Sequence, residues 1–276
     1  MLQKEPAGMD SLLRVYLIRS VWFLMFFMCT VRLYSQDLIR AEQALVACFD
    51  KITYWAQQTK LHYHEAALDS LRAANHVFDQ ALLTYTNQVP GTLSHPFSRL
   101  QAVGLHIATS PDGCFRVYSW DTQLGGTLHL YHRQYQYKGE NGRVYSQLVE
   151  NASETGGFFC SDIFMITGNN RKIYLAYCHE TLTTSLAYQK IKLYQVSGNT
   201  LDTHIPLIKT RTGVRPELGF EFNIFSVLNR PERPFRLILV DPAAQTIQIP
   251  VVYEDGTVTH RSIVYVFDGQ YFVRGD

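Results

Sequence analysis

Residues His106 to Lys138, HIATSPDGCFRVYSWDTQLGGTLHLYHRQYQYK, decide the fold. They read as a strand, a Ser110-Pro111-Asp112-Gly113 turn, a second strand, a Gly125-Gly126 break and a long third strand, which is an antiparallel meander. The stretch also concentrates aromatic and hydrogen-bonding side chains. Rings with polar edges beside groups that can orient a ligand make Tyr118, Trp120, Asp121, His129 and Tyr131 the candidate ligand surface. Strand parity supplies the competing reading: Tyr118 and Trp120 project to one face, and that face is core if another layer covers it.

Downstream, Asn141-Gly142 is a hairpin turn that returns the chain through Arg143 to Val149. A second meander follows in Phe158 to Ile166, a turn at Gly168-Asn169-Asn170, Lys172 to Cys178 and Ser185 to Val196. At an offset of 58 residues, Leu124, Thr127 and Leu128 fall on Leu182, Ser185 and Leu186, so the two units share a weak repeat. A third unit runs from Gly219 to Val273. Units near residues 100–150, 158–208 and 218–274 predict repeated antiparallel meanders, arranged as propeller-like blades or as one large bent sheet. The 17 Tyr and 16 Phe agree with sheet packing.

Upstream the period changes. Leu38, Ala41, Leu45, Cys48, Ile52 and Trp55 form one helical stripe, and Ala67, Leu71, Ala74, Phe78 and Leu82 form another. Residues 36–89 are therefore expected to be a helical hairpin, residues 90–99 a linker marked by Pro90, Gly91 and Pro96, and residues 100–276 an antiparallel β domain, with Gln101 to Ile107 as its first strand. The fold class is mainly β with an N-terminal helical hairpin, α+β.

Residues 1–35 read as a signal peptide. Arg14 and Arg19 precede the apolar run Ser20 to Val31, which is short for a bilayer span, and Ser35 suits the position before a cut. Export places the protein in the periplasm, at the cell surface or outside the cell, with no stable membrane span after removal. The chain's 25 basic and 24 acidic residues then lose Lys4, Arg14, Arg19 and Arg32, and Glu5 and Asp10. The remaining 21 basic and 22 acidic residues carry a formal net charge of -1. That balance gives no long-range attraction to nucleic acid. Asn151-Ala152-Ser153 matches a glycosylation acceptor.

Export also changes the reading of cysteine. Cys48, Cys114, Cys160 and Cys178 remain, and a hairpin register centred on Asn169 sets Cys160 opposite Cys178, the expected disulfide; four free buried cysteines are the alternative reading. No C-x-x-C motif is present. His62, His64 and Glu65 are spaced wrongly for a zinc helix, so no metal and no cofactor are expected.

There is no Gly-x-Ser-x-Gly elbow, no His-Glu-x-x-His, no calcium loop and no phosphate cradle. The catalytic candidates are Asp121 and Glu180 as a carboxylate pair for glycoside hydrolysis, with His129 or His179 as a nearby base. Lys209, Arg211 and Arg215 form a basic loop, read as an anion site or as a solvated turn. The function that follows is an exported binding or structural protein of the cell envelope or exterior, with a glycan, peptide or envelope protein as partner. The alternative is a hydrolase using Asp121 or Glu180.

Overall fold

The computed structural model describes residues 37–61, 65–125, 128–149, 157–169 and 171–275. Residues 1–36, where the signal peptide is expected, and His62, His64, Gly126 and Asn151 of the expected acceptor lie outside these residues. Two helices open the described chain, α1 over residues 37–61 and α2 over Glu65–Gln88. The second stripe is buried as read, at Ala67, Leu71, Ala74, Phe78 and Leu82. On α1 the buried line is Ala41, Leu45, Phe49, Ile52 and Ala56, one position on from Cys48 and Trp55 in its second half, because the larger Phe49 ring takes the core side against Phe78. Residues 90–99 hold a 3-10 turn, Pro90–Leu93, and the start of a short helix α3, Ser98–Ala102. Thr92, Leu93 and Phe97 are buried there. The expected strand from Gln101 thus begins only at His106, because Gln101 and Ala102 complete α3.

The β part is three sheets. The first has the order β1 (His106–Thr109), β2 (Phe115–Asp121), β3 (Tyr131–Lys138), β4 (Val144–Val149), all antiparallel, as the opening stretch predicts. The central sheet pairs β5 (Phe159–Gly168), β6 (Arg171–Thr181), β7 (Leu186–Ser197) and β11 (Glu217–Asn223), with β8 (Thr200–Asp202) on the end of β7. The third has the order β10 (Gly213–Arg215), β9 (Ile208–Thr210), β15 (Phe272–Arg274), β14 (Val258–Phe267), β13 (Thr246–Val252), β12 (Leu239–Asp241). Among the described residues only the β15–β9 pair is parallel, and no sheet closes into a barrel.

The sheets are layered. One face of the first sheet packs Tyr118 and Trp120 against Leu45, Leu71 and Phe78 of the helices. Its other face packs Phe115, Val117 and Tyr135 against Ile163, Tyr174, Ala176 and Tyr194 of the central sheet. The central sheet's opposite face sets Ile173, Leu175, Ile191 and Leu193 against Ile208, Ile247, Phe267 and Phe272 of the third. Strands covered on both faces lose polar alternation; β6 accordingly buries every residue from Ile173 to His179. A fully buried Leu, Ile or Phe side chain contributes about 1.5–3 kcal/mol, so these three interfaces supply most of the driving force.

Several polar side chains inside the stack are paired across it. Gln134 Nε2 donates to Thr86, and Gln136 Nε2 donates to the Thr86 carbonyl and to Thr92, fastening α2 to β3. The Ser110–Gly113 turn does more than reverse the chain. Asp112 accepts from Ser110 Oγ at 2.7 Å, Cys114 N at 3.1 Å, Lys172 Nζ at 2.8 Å and Tyr174 Oη at 3.1 Å, joining the first sheet to the central one. Burial alone raises its pKa, but the hydrogen bonds from Lys172, Ser110 and Cys114 prevail and hold the carboxyl below its ordinary value.

Candidate functional site

Tyr118 and Trp120 are not a ligand surface: both side chains are fully buried. They lie on the face of β2 that the helices cover. Tyr118 Oη donates to Gln136 Oε1 at 2.7 Å, and burial pushes its pKa to about 12. Asp121 serves its own turn, accepting from Gln123 N and Gln123 Nε2, each at 2.9 Å, and pairing with His129 Nδ1 at 2.5 Å. Such local side-chain bonds are what Asp supplies at a turn. His129 is half exposed beside it, and Tyr131 is buried, its pKa raised to about 12 by desolvation and by Asp121.

Asp121 and Glu180 are not gathered around one cleft. Asp121 lines a cavity of about 300 Å³ beneath α1, with Phe49, Lys60 and Gln123. Glu180 feels the charges of Lys190 and Glu217 on the central sheet and of Arg133 on β3; burial raises its pKa, and Lys190 and Arg133 oppose the shift. His179 is buried and takes a different partner, Ser161 Oγ, at 2.8 Å from Nε2. Its ring stacks between Phe159 at 4.9 Å and Tyr177 at 4.8 Å.

Sequence reading missed this Ser–His pair because a β-bulge makes it. The β5–β6 register shifts between Cys160 and Asp162, leaving Ser161 as the extra residue. The arrangement looks like a nucleophile and its base, but the electrostatics oppose that chemistry. Desolvation first, then the charges of Arg236 and His106, lower the His179 pKa from 6.5 to about 3. At about 1.36 kcal/mol per unit, the imidazolium that general-base catalysis must form is disfavoured by roughly 5 kcal/mol. His179 is a neutral partner that fixes the bulge.

The same bulge decides the cysteines. From Asp162 to Gly168 the hairpin pairs about a centre between Asn169 and Asn170, and the one-residue shift at Ser161 then sets Cys160 opposite Cys178. The pair is therefore opposed as expected, but as two free thiols with Sγ atoms 3.1 Å apart rather than as a disulfide. Both are fully buried, and desolvation pushes the Cys178 thiol well above its ordinary pKa.

A broad concavity lies elsewhere, where the chain passes from the third sheet to the central one. β9 and β10 form a tight hairpin: Thr210 Oγ1 donates to the Gly213 carbonyl at 2.8 Å and accepts from Thr212 N at 3.3 Å, and Gly213 supplies the positive φ of 131°. Pro216 then leads directly into β11, its carbonyl bonded to Leu193 N at 3.0 Å. Beside this crossover is a groove of about 1170 Å³. Lys192, Lys209, Arg211, Arg215 and Arg274 line it, with Glu217 as the carboxylate.

The groove's charges are only partly neutralised. Glu217 pairs with Lys190 at 3.2 Å and Lys192 at 3.9 Å, and Lys209 Nζ lies 4.0 Å above the Tyr271 ring. The side chains of Arg211, Arg215 and Arg274 make no hydrogen bond or ion pair among the described residues. Lys192 is partly buried; desolvation lowers its pKa, and Glu217 acts in the opposite direction. Such a surface attracts anions, most strongly at low ionic strength. The basic loop Lys209 to Pro216 is the sequence signal that marks it.

No three His, Cys, Asp or Glu side chains among the described residues are grouped to hold a metal. Among those residues no helix is long and apolar enough to cross a membrane. No protein-family model matches the chain, and no curated protein matches it.

Proposed function

We propose that the chain is an exported, noncatalytic binding module of the cell envelope or exterior, whose ligand is an anion held in the groove beside Pro216. The carrying observation is the groove's five cationic side chains against one carboxylate. Export rests on the N-terminal sequence: basic residues, a short apolar run, then Ser35. In an oxidising compartment the opposed thiols of Cys160 and Cys178 would pass two electrons and two protons to a disulfide-bearing oxidant and close a bridge. The hydrolase reading loses support because His179 resists protonation and Asp121 is committed to its own turn.

The test is retention on an immobilised phosphate or sulfonate matrix. The wild-type chain is expected to bind at low salt and elute as salt rises. Reversing Arg211 and Arg215 together to Glu should weaken retention by roughly tenfold or more, since each charge contact near a solvated surface is worth about 1 kcal/mol or somewhat more. Both residues are exposed, so the melting temperature should stay unchanged. Equal retention of the folded double variant would refute the assignment.

A further inference from the structure

We infer that the groove's anionic ligand is an acidic polysaccharide, a chain of pyranose rings bearing uronate or sulfate groups; this rests on the anion-binding reading above. The observation is the combination of a flat aromatic ring, flanking carboxylates and nearby cations. Tyr188 of β7 and Gly219 of β11 both line the groove. Cross-strand pairing of Glu221 with Tyr188 and of Gly219 with Lys190 puts Tyr188 diagonally beside Gly219 on one face of the central sheet. A Cβ added to Gly219 would come within 2.7 Å of Tyr188 Oη, 2.6 Å of Lys190 Cβ and 2.6 Å of the Gln189 carbonyl. The Tyr188 side chain therefore reaches across β11 through the space that a side chain at 219 would fill. Its long axis therefore runs along the sheet, the residue is half-buried, and Lys190 Nζ lies over the ring at 5.8 Å from its centroid.

An aromatic ring lining a groove offers an apolar face on which a sugar can stack. The groups around it suit hydroxyls: burial first, then the charges of Glu217 and Glu180, raise the Tyr188 pKa, and each of these carboxylates can accept hydrogen bonds from a sugar. The unpaired guanidinium groups of Arg211, Arg215 and Arg274 suit carboxylate or sulfate substituents further along the chain. A polynucleotide fits less well, because its phosphates recur at every residue and would meet the charges of Glu217 and Glu180 beside the ring. An acidic peptide has no flat apolar face to match Tyr188.

The experiment measures binding of the full exported chain to polygalacturonate, dextran sulfate, neutral dextran, poly-L-glutamate and oligothymidylate at one ionic strength. The expected result is binding to polygalacturonate or dextran sulfate at least tenfold tighter than to the other three, and the tighter of the two identifies uronate or sulfate as the substituent. Tyr188→Leu should weaken the acidic glycan by about tenfold, equivalent to roughly 1.4 kcal/mol, and leave poly-L-glutamate unchanged. Tyr188→Phe, which keeps the ring, should retain most of the affinity, and thermal melting of both variants checks the fold. Poly-L-glutamate or oligothymidylate binding as tightly as the acidic glycans would overturn the inference. So would a folded Tyr188→Leu variant of unchanged affinity. In either case release by the Arg211 and Arg215 reversal leaves the anion-binding reading standing. Failure to bind any of the polyanions overturns both.

Discussion

Replacing Trp120 with Ala removes the ring that joins the helical pair to the first sheet. The side chain is fully buried, edge-on to Phe78 at 5.0 Å and to His132 at 5.7 Å. Burying a Trp takes roughly 150–250 Å² from water, which at about 25 cal/mol per Å² amounts to about 4 to 6 kcal/mol. Part of this is offset, because the indole Nε1 has no partner among the described residues and an unpaired buried donor costs about 1 to 3 kcal/mol. The expected net loss is about 3 kcal/mol, the low end of the range for truncating a core aromatic. Urea unfolding followed by far-UV circular dichroism measures it. Trp120→Phe provides the companion test: it keeps a ring against Phe78 and deletes the orphan donor, so it should cost clearly less than the Ala variant. If Trp120→Ala unfolds within about 0.5 kcal/mol of wild type, the size expected of a surface substitution, the ring is not the join and the reasoning fails.

The buried imidazole and the opposed thiols make two further expectations. His179 is held at a pKa of about 3 against 6.5, so between those values the unfolded chain takes up a proton that the folded chain does not. Its stabilising effect is complete above pH 6.5 and is lost as pH falls toward 3, by up to roughly 5 kcal/mol at about 1.36 kcal/mol per unit. His179→Gln should flatten that part of the urea-unfolding profile, and parallel pH dependences for the two proteins would contradict the assignment. For the cysteines, protein recovered from an oxidising compartment should show only Cys48 and Cys114 alkylated after unfolding. Protein kept under reducing conditions should show all four cysteines modified. Four reactive thiols in the exported protein would mean that the Cys160–Cys178 pair does not close.

Much of the fold is legible because its signals are local. A helical period of Ala67, Leu71, Ala74, Phe78 and Leu82 needs only the spacing of side chains on one helix. The Ser110–Gly113 and Asn141-Gly142 turns similarly fix where strands of the first sheet reverse. Parity on β2 correctly placed Tyr118 and Trp120 on a shared face. It could not say whether that face met water, since the covering residues Leu71 and Phe78 lie on α2, far away in sequence. Rings chosen for a ligand surface thus became the helix-sheet core. On α1 the stripe slipped by one position because Cys48 and Phe49 are both apolar, and only the Phe78 ring across the interface selects between them.

By itself the sequence determined the helical pair, the change from helical to strand period, the meander order and the basic character of residues 209–215. Each is a property of neighbours along the chain. Tertiary structure alone decided three things. Stacking the central sheet between two others buried both faces of β6 and so selected its side chains without alternation. A single extra residue, Ser161, changed the β5–β6 register and gave His179 its partner, because a one-residue shift moves every side chain to the other face. The crossover at Pro216 set the cations of β7, β9, β10 and β15 around one groove. A net charge of -1 after residue 35 concealed that cluster, since a sum over the chain carries no information about where in space its charges meet.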